Sequence, residues 1–338
     1  MLKLQSCITL ITLTVFLLAE IIHLYRENKV LYRNKDTMAN VCTGIVYFVS
    51  NIAARGLLIF LYEWAYHLRL FTIDTAWWSG LLILLLNDFS YHCYHRAAHR
   101  VSLFWASHTI HHSSGHYNIL TSLRLPWTSQ FSGQFLFWIW MPFLGFSPNL
   151  IMFIYGVSQL YQSWLHTEAI KKLPWYFEYV FNTPSHHRVH HGSNPNYIDK
   201  NFGGVLVIWD RLFGTFREED EKPIYGVTKK IKSFNPVIIS FNEWICLFNN
   251  LLHAGSVKNA INYFVQPPGW IPGPINRRQE KVKKEHPLQA GMLTSYRKKI
   301  RNCFSMMGRH GTFNIEHLFL APDMVCLGMH KGTYALVR

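Results

Sequence analysis

Apolar residues run in long blocks through the first half of the chain and in shorter ones afterwards. Cys7 to Leu24 is mostly apolar, with Glu20 and His23 near its end. A basic stretch, YRENKVLYRNK, follows and carries Arg26, Lys29, Arg33 and Lys35. Val41 to Trp64 forms a second apolar block, interrupted by Asn51 and Arg55. A third begins at Trp77 and runs through Leu86 into NDFSYHCYHR. A helix of about 20 apolar residues crosses the ~30 Å hydrocarbon core of a bilayer. Each block therefore predicts a membrane span, the third ending near His92 to Arg96. Basic loops stay in the cytosol, so counting passes from the basic stretch returns the end of the third span to the cytosolic side.

From Leu125 to Leu165 there is no charged residue, and Pro142, Gly145 and Pro148 interrupt the run. This predicts a helical hairpin that leaves and re-enters on the same side. Phe181 to Lys230 is polar apart from the Gly-rich NFGGVLVIWDRLFGTF. PVIISFNEWICLFNNLLH reads as an amphipathic helix lying in the membrane interface. QPPGWIPGP is turn-rich, and from about Glu280 the chain is basic, weakly patterned and loosely ordered. The expected divisions are N-terminal spans over 1–76, a core over 77–235, and an interfacial helix with a basic tail over 236–338.

Composition sharpens this picture. Of 338 residues, 49% are hydrophobic and only 15% charged, against roughly 25% charged in soluble domains. The mean hydropathy of +0.05 leaves room for sizeable polar segments. The net charge of +14 fits a positive-inside membrane protein. No groove-reading motif accompanies it, so nucleic acid is not the expected partner. The six cysteines form no C-x-x-C pair and are expected to be reduced.

The chemistry lies in the histidines. HTIHH and HRVHH repeat one spacing, i, i+3, i+4, which sets three imidazoles on one helical face. These are His108, His111 and His112, then His187, His190 and His191. Asp88, His92, His95 and His99 step by four, three and four, forming a third stripe. Imidazole ligates Zn, Cu, Fe and Ni in its neutral form. Eight or nine imidazoles exceed what one ion takes, so two ions are expected. All-histidine ligation without thiolate argues against structural zinc and suits redox iron with a position open for O2. Ligating histidines hand their second N–H to a carboxylate or carbonyl. Asp88, His92 and Glu168 are the candidates for that outer role. His116 and His186 are expected to be bystanders. The fold class that follows is all-α: a polytopic helical membrane protein with a cytosolic, histidine-rich di-metal cap.

The H-x-x-x-H, H-x-x-H-H and H-x-x-H-H series resembles the fatty acid hydroxylase and sterol desaturase superfamily, integral di-iron oxygenases of the endoplasmic reticulum membrane. The resemblance is carried by YHRAAH, LFWASHTIHHSSGHYN, LYQSWLHTE and NTPSHHRVHHGSNPNYIDKNFGGVLVIWDRLFGTF, and covers roughly Val41 to Pro274. It implies that His95 and His99 form the first ligand motif, His108, His111 and His112 the second, and His187, His190 and His191 the third. His166 in LHTE matches an additional histidine between the second and third. The block from Asn182 to Phe216 is similar to a branch of the superfamily that is tetrahydrobiopterin-dependent and hydroxylates the ether carbon of alkylglycerols, releasing a fatty aldehyde. Iron, O2, tetrahydrobiopterin and an ether-lipid substrate are thus implied by resemblance alone. Three features depart from that pattern. Arg100 stands where a glutamate follows the first motif, and Gly115 and His116 stand where acidic residues follow HHSS. The final residues also look unlike the further spans with which such proteins continue. A sterol or fatty-acyl hydroxylase or desaturase fed by cytochrome b5 would share every ligand. Outside that class stand a membrane metal transporter and an inactive relative.

Overall fold

The computed structural model describes residues 2–28 and 32–273, and among them the regular elements are helices joined by turns and irregular loops, with two isolated antiparallel bridges, Phe181 with Leu206 and Gly192 with Tyr225. Four helices open the chain: α1 (Leu2–Arg26), α2 (Asn34–His67), α3 (Trp77–Arg100) and α4 (Ser102–His112). Two 3₁₀ turns, Ile119–Leu123 and Gln134–Phe137, lead to α5 (Trp140–Leu144) and α6 (Pro148–Ser163). Short helices follow: α7 (Trp175–Val180), α8 (Pro184–His190) and α9 (Ile208–Leu212). Last come α10 (Pro236–Leu252) and α11 (Val257–Val265).

Local chemistry sets several of these boundaries. Ser147 accepts a hydrogen bond from Leu150 N, and Pro148 occupies the first turn of α6. Asn235 and Pro236 start α10 in the same way. Proline loses nothing there, because first-turn N–H groups have no partner within the helix. Gly145 adopts φ +108°, and a Cβ on it would lie 2.2 Å from the Phe71 carbonyl oxygen. Only glycine lets the α5–α6 turn close against the chain leaving α2.

The uncharged run from 125 to 165 is not a two-limbed hairpin. Its first half is a series of turns, a 3₁₀ segment and the five-residue α5; only α6 is a sustained helix. Gly133 at φ +94° and Pro142 prevent a long first limb. At 1.5 Å per residue, α6 is about 24 Å long, short of a full crossing. Among the described residues, Asn34–His67 is the helix that is both long and apolar enough to cross a membrane. Its outward face carries Ile45, Phe48, Val49, Ile52, Leu57 and Phe60, all exposed. The second half of α3 gives its length to polar residues, so α3 as a whole is less apolar than α2. Of the cysteines, Cys42 and Cys93 are free as expected, whereas Cys246 is disulfide-bonded. The basic tail expected from about Glu280 lies outside the described residues.

A buried cluster of Tyr62, Ile83, Tyr94, Ala98, Trp138, Met141, Phe146 and Ile151 joins α2, α3, α5 and α6. Trp138 donates its indole N–H to Asn87 Oδ1 at 2.9 Å, which satisfies a polar group that burial would otherwise leave orphaned. This cluster supports the last two turns of α3, where the first two motif histidines stand.

Candidate metal centre

Four segments deliver the imidazoles. His95 and His99 sit one turn apart at the end of α3, and His108, His111 and His112 line α4. His166 follows the end of α6, while His187, His190 and His191 occupy α8 and its C-cap. All nine are at least nine-tenths buried. They sort into two groups, each with ligand nitrogens within 4.8 Å of one another: His95, His99, His108, His112 and His190; then His111, His166, His187 and His191. The i, i+3, i+4 triplets are therefore divided, not shared as units. From α4, His108 and His112 serve one group and His111 the other. The groups touch, because the His112 and His191 rings stack at 4.4 Å and the His187 and His190 rings at 5.4 Å.

The tautomers follow from backbone carbonyls. His95 Nδ1 faces Phe202 O at 2.9 Å, His111 Nδ1 faces Arg124 O at 3.1 Å, His166 Nδ1 faces Gln162 O at 3.2 Å and His190 Nδ1 faces Lys200 O at 2.9 Å. A carbonyl only accepts, so each Nδ1 carries the proton and each Nε2 is a bare lone pair. Two such lone pairs, on His111 and His166, face each other at 3.3 Å. His190 Nε2 is buried with no partner. Protons cannot bridge these atoms without leaving a carbonyl unpaired or charging a ring. A metal ion resolves every one of these contacts, and the donor set fits it.

Protonation is disfavoured as well. Burial, with help from neighbouring imidazoles, holds His108, His112, His187 and His191 well below the usual histidine range. Burial pushes His111 down to about 4. Such a ring gains its proton on unfolding, between about 4 and the ordinary 6.5. Its contribution to stability is complete above pH 6.5 and is lost as the pH falls through about 4. For His111 alone this is about 3 kcal/mol. Metal-free protein is expected to melt progressively earlier from pH 7 to 4.5, as read by scanning fluorimetry. A flat profile would contradict the neutral cluster.

The α3 stripe faces one continuous segment, residues 199–213, although it does not converge on one ion. His99 Nδ1 lies 3.6 Å from Asp199, which also holds Arg100 at 2.9 Å. His95 meets Phe202 O, as above. His92 stands outside both groups, stacked on Phe213 at 5.4 Å with Nδ1 3.8 Å from Asp210. Asp88 touches no histidine; it accepts from Val205 N at 2.6 Å, Leu206 N at 3.0 Å and Trp209 Nε1 at 3.0 Å. The outer role expected of Asp88 and His92 thus becomes a scaffold role, because the carbonyls of residues 200 and 202 reach the rings first. Glu168 is absent from both groups and lies by the Tyr225 hydroxyl. His186 pairs with Glu178 at 3.8 Å and, with His116, stays out of both groups, as expected of bystanders.

Other supporting residues escaped the sequence reading. Asp210 accepts from Phe202 N, Gly203 N and Thr215 Oγ1 at 2.6–2.8 Å. Glu20 of α1, read as part of a span, is buried and binds Ile119 N, Thr167 Oγ1 and the Tyr32 hydroxyl. Arg188, inside the third motif, forks onto Glu219 and reaches the carbonyls of Thr167 and Ile170. Carboxylates far apart in sequence carry no local signature of such contacts. The glycines of NFGG did carry one. A Cβ on Gly203 would stand 2.4 Å from the Leu206 carbonyl oxygen. Gly203→Ala is expected to destabilise the protein by about 1–3 kcal/mol and to lower metal content, both measurable on purified protein. Unchanged stability would mean that this loop yields freely.

A cavity of about 60 Å³ opens onto His99, His112 and His190 of the first group and His191 of the second, walled by Trp105, Ile198 and Pro268. It is far smaller than the roughly 300–1,000 Å³ of a typical ligand pocket, and suits a diatomic molecule or one reacting carbon.

Comparison with known proteins is consistent with this geometry. Residues 80–215 match the family model for fatty acid hydroxylases. The chain is 37% identical over 247 residues to alkylglycerol monooxygenase of Xenopus tropicalis, covering 71% of this chain and 54% of that protein. It is 37% identical over 253 residues to alkylglycerol monooxygenase of Homo sapiens, covering 71% and 54%. A more distant relative is ornithine lipid hydroxylase OlsE of Rhizobium tropici, 28% identical over 154 residues and covering 45% and 46%. The chain spans about half the length of the alkylglycerol monooxygenases it matches. No solved structure matches. Residues 80–215, which contain all nine clustered histidines, are thus similar to the fatty acid hydroxylase family.

Proposed function

We propose that this chain holds two iron ions, one in each histidine group, and is a tetrahydrobiopterin-dependent monooxygenase that cleaves the ether bond of alkylglycerols. The observation that carries the metal reading is the pair of bare Nε2 lone pairs on His111 and His166, 3.3 Å apart in a buried site. The named activity of the relatives in Xenopus and human supports the substrate class. Iron bound to these imidazoles would supply the activation of O2. The protein's own residues fix the tautomers through four carbonyls and keep the rings neutral by burial. Trp105, Tyr117 and Phe202 pack against the imidazoles and exclude water from them. Hydroxylation of the carbon beside the ether oxygen gives a hemiacetal. Its C–O bond then breaks to yield a fatty aldehyde and a glycerol derivative. Of the four electrons that O2 accepts, two come from that C–H bond and two from the pterin.

The setting proposed is the endoplasmic reticulum membrane, crossed more than once, with the histidines toward the cytosol. The basic stretch between α1 and α2 supports that orientation. Glu20 and Asp36 flank it in sequence, and both contact the histidine-bearing cap, through Thr167 and Ser114. Arg26, Arg33 and Lys35 therefore share a side with the histidine groups, which supports a cytosolic face by the positive-inside rule.

The test uses purified protein in detergent with ferrous iron, O2 and an alkylglycerol carrying a fluorescent tail. One tube receives tetrahydrobiopterin, the other NADH with a cytochrome b5 chain. Fatty aldehyde only with pterin, at two irons per chain, is expected. Two irons with no aldehyde in either tube would replace this reading by that of a hydroxylase of another lipid, which the likeness to OlsE also favours.

A further inference from the structure

Separate from the histidines, a cavity of about 210 Å³ lies between α2, the 134–137 turn and α6. Trp138 forms its inner wall, and behind Trp138 stands Tyr94, with ring centres 5.9 Å apart. Most of the lining is apolar. No carboxylate lines it, yet Arg55 does, and among the described residues its guanidinium has no hydrogen-bond or ionic partner. Arg55 lies on the helix apolar enough to span a bilayer. An arginine at such depth faces the protein interior or a polar partner.

Two acceptors share the cavity. Gln130 donates its amide N–H to Asn51 Oδ1 at 3.4 Å, and Gln134 donates to the Tyr155 hydroxyl at 3.1 Å. The carbonyl oxygens of both amides are buried without a partner, and Gln134 is 5% exposed. An occupant that completes these groups brings an anionic oxygen for Arg55 and a hydroxyl for the glutamines. An ionised carboxylate has no donor. A phosphate monoester has both, because its second proton leaves near pH 6 and a fraction keeps its P–OH at neutral pH. Arginine's planar fork also suits phosphate. At the mouth stand Phe48 and Ile52, 61% and 60% exposed on the outer face of α2. The volume is below the roughly 300–1,000 Å³ that encloses a whole ligand. A headgroup fits inside while its alkyl chain leaves through the mouth along α2.

We infer that this cavity binds the phosphate monoester end of a single-chain lipid, with Arg55 on the phosphate oxygens and one of the Gln130 and Gln134 carbonyls accepting from its P–OH. The inference does not depend on the proposed enzymatic activity, since no histidine takes part. It is tested with the full chain in detergent, using n-dodecyl phosphate, dodecanoate, dodecanol and inorganic phosphate as probes and the fluorescence of Trp138 and its neighbours as the readout. Dodecyl phosphate is expected to bind most tightly. Arg55→Gln should weaken it about 10–100-fold, the range expected for losing a charged hydrogen bond, and leave dodecanol unchanged. His111→Ala should leave dodecyl phosphate binding intact even where metal is lost. Gln134→Glu, nearly isosteric, provides an internal carboxylate for Arg55 and should also displace the ligand; it keeps the test open if Arg55→Gln does not fold. Equal affinity of the wild type and Arg55→Gln for dodecyl phosphate would overturn the assignment. So would dodecanoate binding as well as dodecyl phosphate, or inorganic phosphate displacing the lipid at equal concentration.

Discussion

His111→Ala is expected to take the protein from two metal ions per chain to one and to abolish turnover. His111 belongs to the four-membered group, so its loss leaves three imidazoles, and it removes one of the two lone pairs that face each other at 3.3 Å. His190→Ala, by contrast, leaves four imidazoles in the five-membered group. That variant should keep more of its metal, although it loses the ring closest to His95, at 4.3 Å. Removing only an outer hydrogen-bond partner of a metal ligand costs about 10–100-fold in affinity or activity. Losing the ligand itself should therefore cost activity at least ~100-fold. Elemental analysis of the purified variants gives the metal count, and aldehyde release gives the activity. If His111→Ala kept two ions, or lost both together with His190→Ala, the division into a four-membered and a five-membered group would be wrong.

The second large effect concerns a buried ion pair that holds one of these ligands. Asp36 Oδ1 lies 3.2 Å from Arg124 Nη2, and Ser114 Oγ donates to Asp36 Oδ2 at 2.7 Å. Both charged side chains are at most 4% exposed. The carbonyl of Arg124 is the group that accepts from His111 Nδ1. Asp36→Ala leaves a guanidinium buried without its counter-charge, which costs about 3–5 kcal/mol. It also frees the carbonyl that sets the His111 tautomer. Thermal unfolding should fall sharply, and metal in the four-membered group should bind more weakly. Asp36→Ala combined with Arg124→Leu should regain much of the stability, since replacing both partners of a buried pair by apolar groups is often neutral. It should not regain tight metal binding unless the 124 carbonyl returns to His111. Full stability of Asp36→Ala alone would remove the pair from the account.

The two histidine triplets and the H-x-x-x-H were legible because helical spacing alone puts i, i+3 and i+4 on one face. His166 was not legible from spacing; resemblance supplied it, and the structure brings it to His187, at 3.1 Å between their Nε2 atoms. Spacing could not say which imidazole joins which group, because that depends on how α4 is turned between α3 and α8. The membrane reading was legible in part. The apolar block from Val41 to Trp64 falls inside α2, whereas the uncharged run from Leu125 built turns and one short helix. Absence of charge permits burial without requiring a helix, and Gly133, Pro142 and Gly145 chose the backbone there.

By itself the sequence determined the residue type that clusters, a set of eight or nine imidazoles, the helices that carry most of them and the Gly-rich stretch beside them. These are local properties, set by residue chemistry and helical period. Tertiary structure alone decided the partition into five and four, the carbonyls of Arg124, Gln162, Lys200 and Phe202 that orient four rings, and the scaffold role of Asp88. It also decided the use of Glu20 and Asp36 as buried anchors. Each of these joins atoms distant in the chain, and a backbone carbonyl is the same in every residue. Only the packed fold says which one an imidazole meets.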